Sequence, residues 1–152
     1  MPMLRDITTE EAQVDGIFTY HSLMDNGERR YRLSCDDGSA YSRTVAGDAG
    51  AWQSSHYHKW VREYYIVQSG WVVYAELMAD QTASFKRVGA GGSFAVEPGV
   101  QHNLYLSANS IVHTVKFGEA EGIDWFAAPD LDRRTVSRTE EELLLSVDGF
   151  PG

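Results

Sequence analysis

Cysteine occurs once in the 152 residues, at Cys35, so no internal disulfide can frame the fold and a reducing cytoplasm is the expected setting. Positive charge is also scarce. Thirteen Lys and Arg face 22 Asp and Glu, a formal net charge of -9, and the basic residues are scattered rather than massed, Arg29-Arg30 and Arg133-Arg134 being short pairs. Phosphate backbones are gripped by clustered cations, so no nucleic acid is expected as a partner. The same negative field disfavours strongly anionic small molecules unless local arginines override it. No apolar run reaches the ~18 residues that cross a bilayer, and Met1-Pro2-Met3-Leu4-Arg5-Asp6 lacks the apolar core of a signal peptide. No membrane partner is expected.

What is present is ordinary globular material, 43% hydrophobic and 23% charged, without internal repeat, low-complexity tract or linker. One domain over residues 1–152 is expected. Turn formers recur at Asp25-Asn26-Gly27, Asp36-Asp37-Gly38, Gly47 to Gly50, Ser69-Gly70, Gly89 to Gly92 and Pro98-Gly99. Between them lie short segments rich in Val, Ile, Tyr, Phe and Thr, such as Tyr64 to Val67, Trp71 to Leu77 and Ile111 to Phe117. Many short strands at regular spacing predict an all-β sandwich or barrel. Helix signals are confined to the ends: Thr8-Thr9-Glu10-Glu11 near the start, and Thr139 with Glu142 at capping-box spacing before Leu143-Leu144-Leu145.

Chemistry is concentrated in Gly50-Ala51-Trp52-Gln53-Ser54-Ser55-His56-Tyr57-His58-Lys59-Trp60-Val61-Arg62-Glu63 and its continuation to Gly70. Residues two apart on a strand share a face, so His56 and His58 can bring two imidazoles to one ion. A short turn at 59–62 then returns Glu63 beside them. Imidazole and carboxylate ligands with open positions suit a divalent transition metal, whether iron, manganese, nickel, copper or zinc, rather than calcium.

These residues resemble the cupin superfamily, whose first motif reads G-x5-H-x-H-x3 or 4-E-x6-G; Gly50, His56, His58, Glu63 and Gly70 match every fixed position. The second motif, G-x5-P-x-G-x2-H-x3-N, finds Gly91, Gly99 and His102 in register and departs at Glu97 and Leu106. The resemblance covers roughly residues 40–117. It implies a small antiparallel β-barrel (a double-stranded β-helix, or jelly roll) with its core at about 40–117, flanked by an N-terminal arm, 1–39, and a C-terminal packing segment, 118–152. It also implies that His56, His58, Glu63 and His102 hold one divalent metal ion, with Fe(II) favoured slightly by family analogy.

Several further residues are candidates. Ile111, His113, Val115 and Phe117 form the more apolar face of their strand, so His113 is expected to point inward, either as a general acid or base near the metal or as a hydrogen-bonded core histidine. Tyr65 shares a face with Glu63, as proton donor or as packing. Trp52 and Ser54 share parity with His56, Arg43 either reaches the barrel mouth to pair with a carboxylate or phosphate or faces solvent, and Leu104 would form an apolar flank. Trp60 and Arg62 form either a lid or surface contacts. Trp125-Phe126 serves either a homodimer or C-terminal packing. His21 is read as a surface or core histidine.

The leading functional expectation is a metal-dependent enzyme acting on a small oxygen-bearing organic molecule, as a dioxygenase. An isomerase, epimerase or lyase moving protons through His113 and Tyr65 is the second reading. A non-enzymatic small-molecule-binding module is the third.

Overall fold

The computed structural model describes residues 3–146. A short helix α1 (Thr9–Val14) precedes β1 (Ile17–Leu23), β2 (Arg29–Cys35), β3 (Ala40–Val45), β4 (Ala51–Trp52), β5 (His56–Tyr57) and β6 (Arg62–Ser69). Then follow β7 (Trp71–Leu77), β8 (Ala83–Gly89), β9 (Ser93–Val96), β10 (His102–Leu106), β11 (Ile111–Phe117) and β12 (Phe126–Ala127). Helices α2 (Pro129–Thr135) and α3 (Glu140–Ser146) come last. None of these helices is long and apolar enough to cross a membrane.

The strands form two antiparallel sheets, β1-β2-β3-β11-β6-β9 and β12-β5-β10-β7-β8, with β4 also paired to β10. Among the described residues no strand pairing joins one sheet to the other, so the architecture is a two-sheet sandwich and not the closed barrel expected. The expected N-terminal arm is also partly sheet. Residues 17–35 form a hairpin that extends the first sheet beyond β3, in register from Ile17↔Cys35 to Leu23↔Arg29. Its short turn, with Met24 N–H accepted by the Glu28 carbonyl at 2.8 Å, closes that pairing.

One end of the sandwich is a dry core. Val67, Val72, Val88, Leu104, Leu106 and Val112 meet there from both sheets, each at most 2% exposed. Burying one such side chain contributes about 1.5–3 kcal/mol, which makes this end the anchor of the fold. Leu104 therefore belongs to the inner core behind the site, not to the flank of a pocket. Strand β10 is buried on both faces: His102, Leu104 and Leu106 point inward, while Tyr105 packs outward with Val73, Leu143, Trp71 and Phe85. The two C-terminal helices cover that outer face. Helix α3 starts where capping chemistry predicts, with the Glu142 N–H donated to Thr139 Oγ1 at 3.2 Å. Helix α2 begins on Pro129, a preferred first residue because its missing N–H would be unpaired there anyway.

Two motif glycines have a steric explanation. A Cβ at Gly50 would stand 2.1 Å from the Tyr105 hydroxyl. Gly70, at φ +75° in the β6–β7 turn, would place one 2.6 Å from Ser110 Cβ. A side chain at Gly50 would displace the Tyr105 phenol, and one at Gly70 would be strained by its φ as well as pressed against the β10–β11 turn.

Candidate metal centre

His56 and His102 are direct cross-strand partners on β5 and β10, which sets their ring centroids 4.4 Å apart. His58 lies just past β5, its ring 4.9 Å from that of His56. Glu63 enters from the other sheet near the start of β6, where burial alternates so that Glu63, Tyr65 and Val67 all point inward. One ligand atom from each of His56, His58, Glu63 and His102 lies within 4.8 Å of all the others, and all four residues are buried. Glu63 Oε1 is 3.0 Å from His58 Nε2 and 2.9 Å from His102 Nε2.

The backbone decides which ring nitrogens face the centre. His56 Nδ1 lies 2.8 Å from the Ser54 carbonyl oxygen, His102 Nδ1 lies 2.9 Å from that of Val100, and His58 Nδ1 contacts that of Asp124. A carbonyl oxygen only accepts, so each Nδ1 carries the proton and, in the neutral ring, each Nε2 presents a lone pair. His58 Nε2, His102 Nε2 and Glu63 Oε1 are then buried acceptors facing one another without a donor. The 3.0 Å and 2.9 Å approaches are thus not hydrogen bonds between neutral imidazoles and a carboxylate. An unsatisfied buried acceptor costs ~1–3 kcal/mol, and a single cation would satisfy all of them at once. The donor set, three imidazole nitrogens and one carboxylate oxygen, fits one divalent transition metal.

Electrostatics agree. Burial, followed by the neighbouring His102, pushes His56 down to about 3, keeping its ring neutral and able to coordinate. Tyr65 donates its hydroxyl to Glu63 Oε2 at 2.8 Å, leaving Oε1 for the centre. Its own ionisation is pushed far up by burial and then by the Glu63 charge. Tyr65 is thus a positioning residue for the carboxylate.

Asp124 carries no signal in the sequence. Its carboxylate accepts the backbone N–H groups of Lys59, Trp60 and Val61 at 2.7, 3.0 and 3.0 Å. It clamps the turn between His58 and Glu63 while its carbonyl fixes the His58 ring. Burial would raise the Asp124 carboxyl, yet these backbone bonds hold it low. Far along the chain from the motif, it meets that turn only through the fold. Trp125, expected to serve a dimer or C-terminal packing, stacks on His56 with centroids 5.5 Å apart. The loops of the two motifs are themselves tied together: Gly99 N–H donates to the His58 carbonyl at 2.7 Å, and Arg62 pairs with Glu97 at 2.6 Å on the exposed side.

Besides Leu104, three expected site residues lie elsewhere. In β11 the inward residues are Val112, Thr114 and Lys116, so His113 faces out. Its Nε2 donates to Gln68 Oε1 at 2.6 Å and its Nδ1 accepts from the Tyr41 hydroxyl at 2.6 Å. Arg43 shares that outer face by register with His113 and donates to Gln68 Oε1 at 3.3 Å. The physical reason is that the inner face of this sheet lines a polar pocket, so the more apolar face is not the buried one. Trp52 turns outward because the irregular segment 53–55 between β4 and β5 breaks strand parity. It packs edge-on against Tyr105 and Phe85 and donates its indole N–H to the Arg138 carbonyl at 3.0 Å. Gln53 and Ser54 take its place beside the pocket.

That pocket, about 440 Å³, opens from His56, Glu63 and Tyr65 between the sheets toward the β1–β2 hairpin. No protein-family model matches the chain, and no curated protein matches it. Solved structures do. Oxalate decarboxylase from Bacillus subtilis aligns over 88% of this chain and 40% of its own, with a TM-score of 0.58 at 13% identity. Oxalate oxidase aligns over 70% and 57%, with 0.56 at 19% identity. The coconut allergen cocosin aligns over 64% and 28%, with 0.55 at 10% identity. The chain spans about two fifths of the length of the decarboxylase it matches. All three neighbours have the cupin fold, and so has this chain.

Proposed function

We propose that this cupin-fold chain is a metal-dependent enzyme acting on a small organic molecule that reaches the ion through oxygen atoms, with an oxidative reaction as its chemistry. The observation that supports it is the set of inward lone pairs of His58, His102 and Glu63, left without a donor next to a 440 Å³ pocket that Glu63 and His56 line. A bound divalent metal would supply Lewis acidity to a substrate oxygen or, as Fe(II), a site for dioxygen. The chain's own contribution is orientation. Carbonyls of Ser54, Val100 and Asp124 fix the three rings, Tyr65 fixes the carboxylate, and Trp125 shields His56.

The proton-transfer reading needs carriers in the pocket. Of the two expected carriers, His113 is on the far side of the sheet and the Tyr65 hydroxyl is engaged as a hydrogen-bond donor to Glu63. An oxidative route makes less demand on such groups, and it is consistent with oxalate oxidase among the neighbours. Fe(II) is the metal this reading favours. The neighbouring oxalate decarboxylase from Bacillus subtilis has Mn(II) centres, which makes manganese the first alternative to load.

The test is elemental analysis of the purified chain, followed by anaerobic reconstitution with Fe(II) or Mn(II) and an oxygen electrode. One equivalent of transition metal and substrate-dependent oxygen uptake are expected, both lost in His56→Ala. Metal-loaded protein that turns over small acids equally well without oxygen would overturn the oxidative part. A chain that takes up no metal would overturn the whole.

A further inference from the structure

In register across the inner face of the first sheet, Tyr20, Arg32, Ser42, Thr114 and Tyr65 form one row. The next row runs Ser34, Ala40, Lys116, Glu63. A protein with a net charge of -9 thus places Arg30, Arg32 and Lys116 along a single pocket. Among the described residues its one lining carboxylate is Glu63, which belongs to the metal cage.

These three cations are not equivalent. Arg30 is compensated, because Glu28, 1% exposed, accepts its Nε and Nη2 at 3.0 and 2.8 Å. Gln53 Nε2 also donates to the Glu28 carboxylate, at 3.1 and 3.2 Å, which locks that corner. The direct contacts of Arg32 are with neutral groups, Ser22 Oγ at 3.0 Å, Met24 Sδ at 3.7 Å and the Tyr20 ring at 4.8 Å, and among the described residues it makes no ion pair. Burial lowers its pKa, an effect opposed by Tyr20 and the Glu28 charge and reinforced by Arg30. Lys116 stands directly across the strand pair from Glu63 and its charge acts on that carboxyl, yet among the described residues it makes no ion pair. Between the cations the wall carries the hydroxyls of Ser42, Thr44 and Thr114. A partly dry wall on which Arg32 and Lys116 lack a directly bonded carboxylate, set among hydroxyls, is completed by an anion.

We infer that the pocket takes a compact organic acid, and that Arg32 and Lys116 hold its oxyanion while the other end of the molecule reaches the metal centre. Only that second contact rests on the metal-enzyme reading. Strands lie ~4.8 Å apart, which puts the Arg32 backbone roughly 14 Å across the sheet from that of Tyr65. That span suits a short-chain or single-ring acid. Carboxylate and phosphate share the chemistry, and the guanidinium fork of Arg32 matches either.

The experiment is calorimetric titration of the full chain with succinate, with its neutral diamide, and with inorganic phosphate. It is run on the Mn(II)-loaded wild type, on metal-free His56→Ala, and on Arg32→Gln, Lys116→Gln and Arg43→Gln. Expected results are binding of succinate or phosphate but not the diamide, and affinity at least about tenfold weaker in Arg32→Gln and in Lys116→Gln. The Arg43→Gln control, which removes the same charge from the outer face of the same sheet, should change nothing. Tighter binding of phosphate than succinate assigns a phosphorylated ligand, and the reverse a carboxylic acid. Anion affinity within twofold of wild type in both Arg32→Gln and Lys116→Gln, or an equal loss in Arg43→Gln, overturns the inference. Thermal unfolding of each variant separates a lost contact from a lost fold. Failure of the metal reading looks different: the wild type would hold no metal, yet Arg32-dependent anion binding would persist in His56→Ala.

Discussion

Over the pocket, the two faces of the first sheet invert the usual pattern. Beside the core residues Val67, Val96 and Val112, its inner face carries Arg30, Arg32, Ser42, Thr44, Thr114, Lys116 and Glu63, while its outer face carries Leu33, Tyr41, Tyr64, Ile66, Val115 and Phe117. The outer residues stay substantially open; Tyr64 and Val115 are 39% and 38% exposed. The second sheet behaves conventionally, with the dry core on one side and helices on the other. A sheet whose inner face builds a ligand pocket no longer obeys the rule that the apolar side is the buried side. Apolarity marks the core only where there is nothing to bind.

Breaking the inner face should have the largest effects. Glu63→Ala removes the ligand that faces both His58 and His102. Since losing an outer-shell partner alone typically weakens metal affinity about 10–100-fold, losing this ligand should exceed ~100-fold. Competition with a chelator of known affinity measures it. A variant still holding stoichiometric metal after chelator dialysis would end the claim that this face is organised around an ion.

That inversion also explains which features are legible in the sequence. His56, His58, Glu63 and His102 are legible because their spacing is set by strand pairing over a short stretch, and the structure gathers all four. Tyr65 follows from simple parity with Glu63. For His113 the parity is sound, but choosing the buried side by apolarity puts it on the wrong face; Arg43, its cross-strand partner, takes the solvent-facing one of its two expected positions. Trp52 fails for another reason: three irregular residues separate it from His56, and period-two reasoning does not survive a break in the strand. The convergence of Arg30, Arg32 and Lys116 arises from strand order β2-β3-β11-β6, and Asp124 reaches the turn after His58 because β12 pairs with β5; no local pattern encodes either.

Asp124→Ala is the next test, of the same face from behind. It deletes the acceptor for three backbone N–H groups and leaves that of buried Val61 unpaired, a cost of ~1–3 kcal/mol in denaturant unfolding. With the turn between His58 and Glu63 released, metal affinity should fall about 10–100-fold. Loss of stability with unchanged metal affinity would show that the clamp serves the fold and not the centre. Tyr65→Phe is milder. It removes one hydrogen bond to Glu63 Oε2 while keeping the ring stacked on Phe94 at 4.9 Å, so about tenfold weaker metal binding is the most that this contact can account for.

The smallest effect belongs to the outer face, and it is the one that tests the inversion most directly. His113→Ala deletes two hydrogen bonds of 2.6 Å, to Tyr41 and Gln68, both on the open side of the sheet. Their partners regain water when the ring is removed, so the net loss should be under ~1 kcal/mol despite the short distances. The strand itself stays pinned through Val112 and Thr114, which remain buried on the other side. Metal content, anion affinity and any turnover should match the wild type, while the urea midpoint moves slightly. If His113→Ala instead lost metal or activity as Tyr65→Phe is expected to, the two faces would be coupled through β11, and the outer histidine would belong to the site after all.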